Sequence, residues 1–447
     1  MSMKRLIDWH LETWKEREKR KPLLLRGARQ IGKTYAVRQL GLRFETFVEI
    51  NFELVPEAKT IFEKDLQPER IVWELSLLAN RPIIPGKTLL FFDEVQAAPQ
   101  AVQSLRYFYE LMPTLHVIAA GSLLEFVIEK IGIGVGRIST LYVYPLSFME
   151  FLAATKNAQF IEAILNKKIL STILHQKLLD LLGEYLAIGG MPEAVQAWVE
   201  TKDPRASYEA QKELIETYRQ DFPKYAKKHQ IPYLDVLFNQ IHYFIGKNFK
   251  YSAIHGEYKK RELAPCLALL QNANILHQIT HTAGNGIPLG AEVNLERFKI
   301  ISLDVGISQA MLGLDLASWF LNPDKDLINR GSIAEAFVGQ ELVAYASPKS
   351  KTNLFFWKRE SSGALAEVDY LYDFHSTVLP IEVKSGHGST LRSMHQFLEE
   401  HKNSEIGMRF WSENYLKSSD EKIVSRPLYA VATIAHPDQE KALESLL

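Results

Sequence analysis

Cysteine is almost missing from the sequence. Cys266 is the single one in 447 residues, which excludes an intrachain disulfide and a cysteine-built metal site. Its neighbours Leu263, Ala264, Pro265 and Leu267 are apolar, so a buried thiol is expected. No apolar run reaches the ~18 residues of a membrane span, and the start lacks a secretory hydrophobic segment. The expectation is a cytoplasmic protein with no transmembrane segment. Excess charge of either sign is also lacking. The formal net charge of −1 gives no global attraction for nucleic acid or anionic membrane, although residues 1–29 hold nine Lys or Arg against four Asp or Glu. The histidines form no ligand pattern, since His242, His255, His277 and His281 have no cysteines beside them. What remains is an ordinary globular composition, 47% hydrophobic and 23% charged. The length exceeds the ~250–300 residues at which a single core stops growing, so several domains are expected.

The most informative stretch is Gly27-Ala28-Arg29-Gln30-Ile31-Gly32-Lys33-Thr34, after the apolar run Leu23-Leu24-Leu25. It fits the P-loop pattern at every fixed position, between an expected strand and an expected helix. Glycines allow the tight turn, and successive amides and the helix N-terminus then face the phosphates. Lys33 is suited to reach the terminal phosphates and Thr34 to ligate magnesium. Phe47–Phe52 reads as the next strand. Leu89-Leu90-Phe91-Phe92 then forms a strand ending in Asp93 and Glu94, roughly 60 residues after Lys33. Asp93 is placed to hold the magnesium hydration shell and Glu94 to orient or polarise water. His116–Gly121 is a further buried strand, and Ser122 after it is suited to meet the γ-phosphate, to cap the following helix, or both.

These motifs, with Ala120-Gly121-Ser122, Gly136-Arg137 and the run Tyr144–Glu150, closely resemble the P-loop ATPase domain of a prokaryotic AAA-superfamily group. In that group a DUF4143-type region follows. The resemblance implies a ring-ATPase-related core with an additional strand, and ATP rather than GTP. It also implies a catalytic role for Arg137, in cis or from a neighbouring subunit, on the phosphate charge that develops during hydrolysis, while a surface salt bridge is the other reading of this residue.

Residues 145–230 read as mostly helical, broken by Gly189-Gly190-Met191-Pro192, a helix-to-helix turn that orients packed helices. Residues 231–300 have the rhythm of a winged helix: helices near 233–246 and 262–272, a wing from Ile275 to Ile279, and a strand at Phe298–Ile301. Lys259, Lys260 and Arg261 offer a positive helix start for DNA or RNA, while the same unit equally suits a protein partner. After residue 330 a helix to Ala346 precedes strands at Leu354–Trp357, Ala366–Tyr372 and Leu379–Lys384. A last strand is expected at Leu428–Ala432, and a short helix at 437–447.

This last region resembles a restriction-endonuclease-like domain with a divergent acidic motif. Asp369 and Glu382-Val383-Lys384 carry the match, Glu335 and Gln396 match helical positions, and Glu367-Val368-Asp369 departs from the usual proline-aspartate. Period two puts Glu382 and Lys384 on one strand face. The resemblance implies a second Mg²⁺ held by Asp369 and Glu382, with Glu335 assisting and Lys384 orienting water; a retained fold that binds nucleic acid or protein, and a structural cluster of charges, are the other readings.

The expected fold is α/β: a P-loop AAA-type ATPase core (1–155), a helical connection (156–230), a winged-helix-like domain (231–330) and a restriction-endonuclease-like domain (331–447). The expected function is Mg²⁺-dependent ATP binding and hydrolysis that controls the C-terminal modules, with nucleic acid, a protein partner or a homo-oligomer as the counterpart. Two alternatives stand beside it: an ATP-regulated metal nuclease, and a nucleotide-dependent binding switch with little turnover.

Overall fold

The computed structural model describes residues 3–131, 136–313, 330–359, 366–384, 391–415 and 422–447. The chain forms two compact units. One comprises Lys4–Tyr144 with Ser347–Lys351, and the other comprises residues 1–3, Pro145–Ala346 and Thr352–Leu447. Among the described residues, no helix is long and apolar enough to cross a membrane.

The first unit is built on five parallel strands: β1 (Leu23–Arg26), β2 (Thr46–Asn51), β3 (Thr88–Asp93), β4 (His116–Ala120) and β5 (Ser139–Tyr142). Their order is β2-β3-β4-β1-β5. Every residue of β3 and β4 is buried, as their unbroken apolar runs require of strands covered on both faces. Phe52, Phe62, Phe92 and Phe108 pack on one side of this sheet with Leu90, Val117 and Ile71. β4 stands between β1 and β3 and is the additional strand implied by the resemblance. β5 was not anticipated, because Ser139 and Thr140 are only half-buried and give no apolar signal. Leu25 pairs with Ala120 and Phe92 with Ala119, so β1, β3 and β4 end at one level. The loops that follow therefore open on one crevice.

The second unit joins a helical layer to a seven-stranded sheet. Its strands are β6 (Leu276–Thr282), β7 (Val293–Ser302), β8 (Leu354–Lys358), β9 (Glu367–Phe374), β10 (Thr377–Lys384), β11 (Gly407–Trp411) and β12 (Ile423–Pro427). The order is β12-β11-β10-β9-β8-β6-β7. One sheet takes strands from both sides of the expected 330/331 boundary. β6 and β7, which span the region expected to form a wing, pair antiparallel, and β6 then pairs in parallel with β8. The free edge of an isolated wing would leave backbone groups unpaired, and β8 satisfies them. A correction concerns the strand expected at Leu428–Ala432, which lies in a 3₁₀ helix, Leu428–Ile434, buried on nearly every side and so without strand alternation. Pro380, inside β10, is tolerated because the β10–β11 ladder starts one residue later, at Ile381.

The helical layer runs from Phe148–Ala154 to Pro204–Tyr225. Ser147 and Glu150 form a capping box at its start, and the Phe148 N–H donates to Glu341 Oε1 at 3.0 Å. Gly189 and Gly190 make the expected turn between the helices Thr172–Ile188 and Pro192–Thr201. The buried carboxylate of Asp304 pins that turn, accepting from Gly190 N at 2.6 Å and from Ile307 N at 3.0 Å. A β-carbon on Gly189 would lie 2.1 Å from Asp304 Oδ1, and its φ of 75° also requires glycine. Burial raises Asp304 to about 6, against the opposing N–H bonds from Gly190, Ile307 and Gly306. Its folded value lies above its unfolded one. Its contribution to stability is therefore full below about pH 4 and is lost as pH rises through about 6. Asp304→Asn turns an amide NH₂ toward a backbone N–H, and the expected loss is about 1–3 kcal/mol in urea unfolding at pH 7. An unchanged midpoint would show that the turn does not depend on this carboxylate.

Candidate active site

The loop between β1 and the helix Lys33–Gly41 has the backbone its sequence calls for. Gly27 has φ 137° and Gly32 φ 91°, and Gln30 also turns left-handed at 62°. A β-carbon on Gly27 would meet Val143 O at 2.3 Å. Arg5 braces the loop from behind, its buried guanidinium donating to Ile31 O at 3.0 Å and Tyr144 O at 2.7 Å. Lys33 is folded into the loop, its ammonium donating to Gly27 O at 3.0 Å and Ala28 O at 2.6 Å. Burial pulls it down to about 8, opposed by the negative charges of Glu94 and Asp93.

Thr34 Oγ1 donates to the Asp93 carboxylate, 3.2 Å from each oxygen. Asn51 holds the same carboxylate through Nδ2 at 3.1 Å, as the β2–β3 register places it directly beside Asp93. Burial, and then the neighbouring Glu94, raise Asp93 above the usual carboxylate range. Glu94 has a left-handed backbone, φ 49°, and accepts from Gln96 Nε2 at 2.6 Å. Ser122 is buried, and its Oγ has no hydrogen-bond partner among the described residues. Arg137 instead sits half-exposed on Glu110, 3.0 Å away, in company with Arg106.

These residues fit a magnesium-bound triphosphate. Among the described residues the Lys33 ammonium is hydrogen-bonded to loop carbonyls that phosphate oxygens can replace, Thr34 and Asp93 offer hard oxygens side by side, and the Ser122 hydroxyl has no partner. Ala28, Arg29, Gln30 and Ile31 complete the loop around Lys33. Sequence reading missed Asn51 and Arg5. Asn51 was legible as the polar end of a strand neighbouring the Asp93 strand, whereas Arg5 gave no signal, as one of many charges on an amphipathic helix.

In the second unit the expected acidic cluster forms, but around a residue the sequence reading had not counted. Lys299 of β7 is buried, with its ammonium 2.8 Å from Glu335, 2.7 Å from Glu367 and 4.0 Å from Asp369. Lys384 pairs with Glu382 at 2.5 Å on the shared strand face, and Asp369 accepts from Val383 N at 2.8 Å. Lys358 adds a third cation on Glu367 at 2.8 Å. Burial and then Asp369 raise Glu335 to about 8 and Glu382 to about 7. Burial alone would lower Lys299, but Glu335, Asp369 and Glu367 carry it upward. Gln396 is not brought in; it donates to Glu400 one helical turn on, at 3.1 Å on the surface. Among the described residues, no group of three or more His, Cys, Asp or Glu is arranged to hold a metal ion. The signal for Lys299 was present as a lone lysine in the apolar strand Phe298–Ile301, since a buried lysine needs a carboxylate.

Comparison with known proteins finds three family matches. Residues 19–152 match the AAA domain, residues 179–318 a domain of unknown function, DUF8612, and residues 330–429 a domain of unknown function, DUF4143. No curated protein matches the chain. Among solved structures, the Walker-type ATPase PABY2304 of Pyrococcus abyssi is 16% identical, over 68% of this chain and 94% of its own, with a TM-score of 0.43. The Aeropyrum pernix Orc1 protein in complex with DNA is 13% identical over 70% and 91%, with a TM-score of 0.27. The Saccharomyces cerevisiae Hsp104–ADP complex is 17% identical over 60% and 37%, with a TM-score of 0.26. The chain thus carries an AAA domain that binds Mg²⁺-ATP and hydrolyses ATP, and a DUF4143 domain C-terminal to it.

Proposed function

We propose that this protein is a Mg²⁺-dependent ATPase whose nucleotide state sets the conformation of its C-terminal modules, and that those modules bind a partner. The convergence of Lys33, Thr34 and Asp93 in one crevice carries the reading. Lys33 exchanges the Gly27 and Ala28 carbonyls for the β- and γ-phosphates, while the loop amides hold the remaining oxygens. Thr34 and Asp93, the latter steadied by Asn51, would hold the magnesium, which would supply positive charge to offset that of the triphosphate. Glu94 takes the proton of the water that attacks the γ-phosphorus in line as the bond to the β–γ bridging oxygen breaks and ADP leaves, and Ser122 contacts the γ-phosphate. Arg137 is assigned to the developing phosphate charge, in cis or from a neighbouring copy, on release from Glu110.

The C-terminal cluster supports binding better than cleavage. Lys299 already lies among Glu335, Glu367 and Asp369, where a nuclease of the expected type would hold its cation. DNA or RNA is the partner class to test first, given the basic start Lys259–Arg261 of the helix Lys260–Asn272.

Lys33→Ala tests the reading. Loss of a charge-assisted phosphate contact worth about 1.5–3 kcal/mol weakens ATP binding roughly 10- to 100-fold, and Mg²⁺-dependent phosphate release disappears. Wild-type affinity and turnover in this variant would overturn the site assignment. The same assay with DNA or RNA, run beside a cleavage assay, reads partner binding as stimulated turnover and the nuclease alternative as cut strands.

A further inference from the structure

We propose that Gln96 is a positioning residue for Glu94: its amide fixes one oxygen of the carboxylate and leaves the other aimed at the attacking water. The proposal rests on the assignment of Glu94 made above. The backbone is bent where the two side chains meet. Glu94 adopts a left-handed conformation, φ 49° and ψ 43°, and Val95–Ala97 follow as a single 3₁₀ turn. The turn brings Gln96 Nε2 to 2.6 Å from Glu94 Oε2. Glu94 Oε1 has no hydrogen-bond partner among the described residues. A positive φ in a non-glycine residue is costly and persists where its surroundings over-determine it, a pattern that clusters at functional sites.

The neighbouring strand makes room for the amide. Gly121 follows β4, and a β-carbon there would lie 2.1 Å from Gln96 Oε1 and 3.3 Å from its Cδ. The Gln96 Oε1 is buried and has no partner among the described residues. A side chain kept only for packing would be better as a hydrocarbon, because the unpaired oxygen loses hydration and gains no bond. The other end of the amide, bonded to Glu94, accounts for its presence. The alternative amide orientation would set two acceptors against each other, so the carboxylate fixes which end faces it. Rigid support of this kind governs whether a catalytic group is in reach or an ångström away.

The test uses the full chain with Mg²⁺-ATP and compares wild type, Gln96→Met, Glu94→Gln and the double variant. Gln96→Met keeps the volume and removes the donor. We expect kcat to fall about 10- to 100-fold, with KM for ATP and the thermal midpoint unchanged. In the Glu94→Gln background the same change has no further effect, since a residue acting through a carboxylate has nothing to position once that carboxylate is gone. Gln96→Leu replaces the methionine variant if the latter is unstable. Wild-type kcat in Gln96→Met, a raised kcat, or a loss that repeats in full in the double variant would each overturn the proposal. If Glu94→Gln itself turns over like wild type, the assignment of Glu94 has failed instead.

Discussion

Glu94→Gln lowers the steady-state turnover of ATP by about 10²–10⁴-fold, the range for removal of a general base. The substitution keeps size and hydrogen bonding, so Gln96 retains an acceptor and the left-handed turn is undisturbed. Lys33, Thr34, Asp93 and Asn51 remain in place, and the affinity for Mg²⁺-ATP is therefore expected to stay near that of wild type. The electrostatics favour this outcome. Glu94 helps to keep Lys33 charged, against burial, and helps to push Asp93 upward. Its neutralisation weakens the first effect but relieves the second, leaving Asp93 a better anion for magnesium. Phosphate release under single-turnover conditions, with nucleotide binding measured in parallel, separates chemistry from affinity. Turnover retained in this variant would remove Glu94 from the reaction.

Lys299→Met is the second large effect, and it is read in stability. It leaves Glu335, Glu367 and Asp369 in a buried site without their central counter-charge, which costs about 3–5 kcal/mol by analogy with broken buried ion pairs. The pH dependence has a definite sign. Burial and Asp369 already hold Glu335 above its unfolded value, at about 8, so its contribution is full below about pH 4.5 and lost as pH rises through 8. Removing the ammonium that opposes this shift raises Glu335 further. The deficit of the variant is then smallest in acid and grows with pH across that window. Urea midpoints at pH 5 and pH 8 decide the matter, and a deficit independent of pH would show that Lys299 acts by packing alone. Lys358 and Lys384 also face the cluster and limit the loss, each holding its own carboxylate.

The nucleotide crevice was legible because its requirements are local. The Gly27–Thr34 loop and the Leu89–Glu94 strand each carry their chemistry in consecutive residues, and parallel strands bring the two together. Asn51 was less visible because its role depends on register, which the sequence shows only once β2 and β3 are paired. Gln96 was hidden for another reason: the left-handed turn at Glu94 cannot be inferred from a non-glycine residue. In the C-terminal region the period-two reading placed Glu382 and Lys384 correctly on one face. It missed Lys299, because the strand bearing it had been assigned to a separate wing. Leu428–Ala432 misled through composition, since an apolar run reads equally as a strand or as a wholly buried 3₁₀ helix.

The pairing of β6 with β8 ties together two stretches that family comparison separates. Leu289, from the stretch matched as DUF8612, packs into one hydrophobic core with Trp357, Val368, Leu371 and Phe397 from the stretch matched as DUF4143. In this chain the two stretches share one sheet and one core, so a substitution on either side of the β6–β8 ladder is felt across it.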